Sequence, residues 1–66
     1  MKITLNGERC ELADGTTLVT FISARTGSTR GSAVVVDDEV VPRGSWADYR
    51  LRDGQRVELI TAVQGG

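Results

Sequence analysis

The chain has no histidine, one cysteine and one proline, and one each of phenylalanine, tryptophan and tyrosine. Without histidine it lacks the commonest general base near neutral pH and the commonest metal ligand. A lone cysteine can neither close an internal disulfide nor complete a thiolate metal site, so a reducing cytoplasm is the expected compartment. No glycine-rich loop runs into Lys followed by Ser or Thr, which removes the usual nucleotide cradle. The carboxylates are scattered, with no pair placed for acid–base work. No apolar run approaches the ~20 residues of a membrane-spanning helix, and the first residues show no signal-peptide pattern. Net charge is −1 with both signs spread along the chain, so no basic patch points to nucleic acid. Together these absences argue against an enzyme, a bound cofactor, a metal site, a nucleic-acid partner and a membrane. At 66 residues, one domain covering 1–66 is expected. A chain of that size buries only about 60% of its unfolded surface, so its core must be simple.

The apolar pattern outlines the elements. Residues 2–5 alternate as a strand, with Ile3 and Leu5 on one face. Asn6-Gly7 is a strong hairpin-turn signal. Residues 8–12 return as a second strand, with Cys10 and Leu12 inward against Arg9 and Glu11. Ala13-Asp14-Gly15 breaks it, and Thr16 or Thr17 is placed to cap a helix. Leu18, Phe21 and Ile22 form a helical apolar stripe with Arg25 in phase, and Gly27 suits the C-terminal stop. Residues 28–32 read as a polar loop and 33–36 as an apolar strand. Asp37-Asp38 turns the chain into a short strand at 39–41, ended by Pro42. Residues 43–51 have no period, and Trp46 and Leu51 are expected to cover one side of the core. Asp53-Gly54 turns into a last strand over 55–61, with Val57 and Leu59 on one face.

One helix against four or five strands is an α+β, two-layer domain. Setting the last strand centrally and parallel to the first gives the β-grasp arrangement, a mixed sheet packed on one helix. It would also hold the tail, residues 63–66, clear of the body. That tail ends in Gly65-Gly66. With eight glycines in the chain, such a pair arises by chance at a given site about one or two times in a hundred. Alone it is a modest signal. In context, a terminal carboxylate on Gly66, borne on residues without side chains, is suited to entering a narrow site on another protein. Extended at about 3.3–3.6 Å per residue, Val63 to Gly66 reaches roughly 13 Å.

The stretch Val40-Val41-Pro42-Arg43-Gly44-Ser45-Trp46, then Asp53-Gly54, then Val57-Glu58-Leu59 and the Gly65-Gly66 end resembles the ThiS family of sulfur carriers in thiamin biosynthesis. Val-Pro-Arg-x-x-Trp is its most specific part, and the order and length match over nearly the whole chain. The resemblance implies a ubiquitin-like fold and adenylation of the Gly66 carboxylate by an E1-like, ATP-using enzyme of the ThiF type. Sulfur from a cysteine desulfurase or other donor then replaces AMP and leaves a thiocarboxylate. A ThiG-type thiazole synthase takes that sulfur. Gln55 departs from the pattern, since family members often carry Asp there. It is expected to be solvated and without consequence. The chemistry is coherent with the residues. A carboxylate has no good leaving group until it becomes an acyl-adenylate, and the nucleotide and metal sites for that step must lie on the partner.

Gly66 is therefore the expected reactive residue and Gly65 the residue that grants steric access. Val63 and Gln64 are expected to contact the partner in the tail. Ile60 has the opposite parity to Val57 and Leu59, which puts it on the outer sheet face. It is either a lone exposed apolar residue or, with Val35, part of a partner site. Arg43 either meets a partner carboxylate or anchors the loop after Pro42. Arg56, close in sequence to the tail, is a candidate to assist docking. Trp46 reads as a lid on the core. Rival readings are sulfur delivery to molybdopterin or cysteine synthesis, a ubiquitin-like protein modifier, and a non-covalent β-grasp binding module. Cys10, mid-strand and inward, reads as a small apolar filler and not as a reactive thiol. Cys10→Ala is accordingly expected to accept sulfur normally. Loss of the sulfur mass increment from a folded Cys10→Ala protein would overturn that reading.

Overall fold

In the computed structural model, which describes residues 1–25 and 31–61, the elements run β1 (Lys2–Leu5), β2 (Glu8–Glu11), α1 (Leu18–Arg25), β3 (Ser32–Val36), β4 (Glu39–Val41) and β5 (Arg56–Thr61). A short 3-10 turn occupies Arg43–Ser45. The sheet order is β2-β1-β5-β3-β4. The last strand is central and parallel to the first, as expected for a β-grasp, and antiparallel to β3. Three expected strand bounds shift, the first being β2, which ends at Glu11 and leaves Leu12 outside it. Ser32 belongs to β3 instead of the preceding loop, because it pairs with Thr61. Gln55 belongs to the turn before β5. The expected helix stop at Gly27 lies outside the described residues.

Turn chemistry explains where the strands end. Asn6 and Gly7 both take positive φ, +50° and +85°, which suits a two-residue hairpin whose twist matches its strands. The β3–β4 connection uses Asp37 and Asp38, also at positive φ (+48° and +70°). Short polar side chains tolerate that region better than other residues do. Asp37 turns the strain to use, since its Oδ1 accepts the Arg56 N–H at 2.9 Å.

The helix is short and carries β-branched residues, so its ends are fixed from outside. Thr17 is the N-cap, its Oγ1 accepting the Thr20 N–H at 3.4 Å. The Leu18 N–H donates to the Tyr49 carbonyl at 2.8 Å, and the Val19 N–H donates to the Trp46 carbonyl at 3.2 Å. The aperiodic segment after β4 thus supplies acceptors for two donors that no helix can satisfy internally.

Strand parity then sorts the side chains. Ile3, Val57, Val36, Val34 and Val41 point to one face and meet Leu18, Phe21 and Ile22 from the helix. Trp46 and Leu51 are also buried and close one side of this core. Cys10, Leu12, Leu5 and Leu59 pack against it half-buried. No polar or charged residue is buried among the described residues, so apolar area is the main term holding the core. Trp46 is the largest buried side chain, and its indole N–H finds the Val41 carbonyl at 2.8 Å. Trp46→Phe removes that bond and leaves unfilled volume. It is expected to cost about 2 kcal/mol, read as a lower urea midpoint at unchanged slope. An unchanged midpoint would show that the indole bond contributes nothing.

Candidate functional site

Strand β5 runs between β1 and β3 toward the tail. On the β3 side, pairing continues from Val36↔Val57 to Ser32↔Thr61. On the β1 side, the pairing reaches only Leu5↔Val57. The expected reactive and contact residues of the tail, Val63, Gln64, Gly65 and Gly66, lie outside the described residues.

Upstream of the tail, the sheet face away from the helix carries an apolar patch. Register puts Ile60 beside Ala33, and Val35 between Glu58 and Val40. Ile60 is 53% exposed and Val40 70%. Ala33 is exposed and Val35 half-buried. Ile60 and Val35 thus share one face, as their parities require. Val40 and Ala33 join them, and sequence reasoning missed both. Alternation along β4 was the available signal, since Val41 is buried and its neighbour Val40 must point the other way. Four apolar side chains from three adjacent strands share this face.

The other candidates fall elsewhere. Arg56 is at the start of β5, about 16 Å of strand from Thr61 at ordinary strand rise. Its guanidinium meets Asp38 Oδ2 at 2.9 Å. The pair is exposed and of small energetic weight, but the location corrects the expectation that Arg56 lies near the tail. Proximity in sequence was misleading because a strand separates its two ends more widely than any other element. Arg43 lies over the Trp46 ring, 5.5 Å from its centroid, which fits the anchoring role after Pro42. Gln55 is only partly solvated. It is half-buried, its Oε1 accepts the Arg52 N–H at 2.7 Å, and its Nε2 donates to the Tyr49 hydroxyl at 3.3 Å. A longer amide side chain there closes the turn that feeds β5, a job its place in a turn did not reveal. Cys10 is half-buried, with Sγ 3.8 Å from the Glu8 carbonyl. It faces the helix side of the sheet, opposite to the apolar patch.

No group of three or more His, Cys, Asp or Glu side chains is arranged to hold a metal among the described residues. No helix there is long and apolar enough to cross a membrane. What the described residues gather around β5 is an exposed apolar patch on the sheet face away from the helix.

Comparison with known proteins agrees with this geometry. A sulfur carrier protein ThiS from Escherichia coli is 27% identical over 66 residues, covering the whole of both chains. A thiazole synthase from Paramagnetospirillum magneticum is 29% identical over 66 residues, which is all of this chain and 20% of that protein. The crystal structure of a thiamine biosynthesis protein (ThiS) from Geobacter metallireducens superposes with a TM-score of 0.84 at 25% identity, each chain covered in full. The ThiS family model matches residues 3–66, from β1 to the final glycine, and the chain belongs to the ThiS family.

Proposed function

We propose that this ThiS-family sulfur carrier of thiamine biosynthesis works through the main-chain carboxylate of Gly66. An E1-like adenylyltransferase of the ThiF type binds the body and receives the tail. A Gly66 carboxylate oxygen attacks the α-phosphorus of ATP and pyrophosphate leaves, giving an acyl-adenylate. Sulfur from a cysteine desulfurase or another donor attacks the activated carbonyl carbon, and AMP departs; where it arrives as a persulfide, a second thiol cleaves the acyl disulfide first formed, becoming a disulfide itself and releasing the thiocarboxylate. The resulting thiocarboxylate passes its sulfur to a thiazole synthase of the ThiG type. The protein is the carrier and co-substrate in these steps and not the catalyst, and a reducing cytoplasm suits a thiocarboxylate.

The observation that carries this reading is the family match, which extends through the final diglycine. The thiazole synthase partner has separate support. The relative bearing that name includes a 66-residue stretch similar to this whole chain. Joining a carrier-like segment to a synthase in one polypeptide raises the effective concentration of each for the other.

The chain's own contribution is access and docking. A side chain at position 65 would widen the tail where the activating enzyme's channel must be narrow. The patch of Ile60, Val35, Val40 and Ala33 is the body's share of the interface, with Val63 and Gln64 continuing it into the tail. Docking on that face and threading the tail are then one event.

Incubation with an activating enzyme, ATP and a sulfur donor, followed by intact mass, is the direct test. Replacement of one oxygen by sulfur is expected at Gly66. Covalent adducts to other proteins would mean a modifier instead. Gly65→Val is expected to abolish the conversion in a protein that still folds, and normal conversion of that variant would sink the steric argument. Ile60→Glu is expected to weaken binding to the activating enzyme about tenfold or more, equivalent to about 1.4 kcal/mol. Unchanged affinity in a titration would remove Ile60 from the interface.

A further inference from the structure

We propose that Asn6 is a positioning residue for the reactive end of the chain: its side-chain amide stands in for a main-chain rung and fixes the direction in which the chain leaves β5. The connection to Gly66 rests on the function proposed above, whereas the rung does not.

The geometry is specific. The parallel ladder between β1 and β5 has its last main-chain rung where the Asn6 N–H donates to the Val57 carbonyl at 2.9 Å. Continuing the ladder would require the next acceptor, for the Leu59 N–H, to come from the Asn6 main chain. The chain cannot provide it, because at Asn6 it takes φ of +50° and turns away into the β1–β2 hairpin. The side chain replaces it. Asn6 Oδ1 accepts the Leu59 N–H at 2.9 Å, and Asn6 Nδ2 faces the Leu59 carbonyl at 3.4 Å. A carboxamide has the same planar donor and acceptor set as a peptide group.

Residue choice follows from the two demands. A turn of this kind accepts Gly, Asn or Asp at positive φ. Glycine offers no side chain, and aspartate offers an acceptor but no donor. Asparagine alone meets the turn requirement and pairs both polar groups of Leu59. Beyond Leu59 the β1 side offers no further pairing among the described residues, while β3 still pairs through Thr61. A strand held on one edge can swing about that edge. The Asn6 rung supplies the second edge, two residues before the strand ends at Thr61, so the exit vector of the chain is set there.

Asn6→Gly is the discriminating variant, because glycine keeps the positive φ without steric cost and deletes both side-chain bonds. Amide hydrogen exchange is the first readout. The Leu59 amide is expected to exchange at least tenfold faster in Asn6→Gly, with Ile3 and Val34 moving only as global stability moves. Asn6→Asp retains the acceptor and is expected to keep Leu59 protected. The second readout is conversion by a ThiF-type activating enzyme. The carrier's KM is expected to rise about fivefold in Asn6→Gly at unchanged kcat, because fewer tails leave in the productive direction. Leu59 as well protected in Asn6→Gly as in the parent, or uniform acceleration of all amides, would overturn the rung. A loosened Leu59 with unchanged KM would overturn its positioning role. If the parent itself is never converted while Leu59 loosens in Asn6→Gly, the rung stands and the reading of Gly66 fails.

Discussion

The pairing of β5 on both edges is the constraint on which the rest of the molecule depends. Without it the sheet is two separate hairpins, β1–β2 and β3–β4, and an isolated hairpin is marginal in water. With it, five strands share one buried face and the helix has a surface to cover. The strand has no hairpin neighbour of its own, so its position is secured from the turns of the other two. Asp37 in the β3–β4 turn takes the Arg56 N–H at the start of β5. Asn6 in the β1–β2 turn takes the Leu59 N–H near its end. Residues that look like simple turn formers also fasten the ends of the central strand.

This arrangement puts the core on one face of the sheet and the exposed apolar patch on the other. The buried residues lie on the helix side, and none of those described is polar or charged. The opposite face carries Ile60, Val35, Val40 and Ala33, which take little apolar area from the core.

Much of this was legible in the order of residues. Alternation in residues 2–5 and 33–36, the Asn6-Gly7 turn and the Leu18, Phe21, Ile22 stripe name the elements through short-range sterics and burial. Parity alone put Ile60 on the outer face and Cys10 on the inner one. The less legible parts were those in which a side chain serves a distant main-chain group. Gln55 was read as solvated because its partners, the Arg52 N–H and the Tyr49 hydroxyl, become neighbours only when the turn closes. Arg56 was placed by sequence distance from the tail, although a strand of six residues carries it to the other end of the sheet.

The α+β class was therefore readable from linear order through periodicity and turn propensity, and the family through the motif residues from Val40 to Trp46. Folding added the relations between residues far apart in the chain. Val40 and Ala33 became part of one patch with Ile60 because β3 lies between β4 and β5. Asn6 came to serve Leu59, 53 positions away, because β5 inserts beside β1. Linear patterns report which face a side chain takes within its own strand. Which strands stand side by side is settled by burying every apolar face at once, and that is a property of the whole chain.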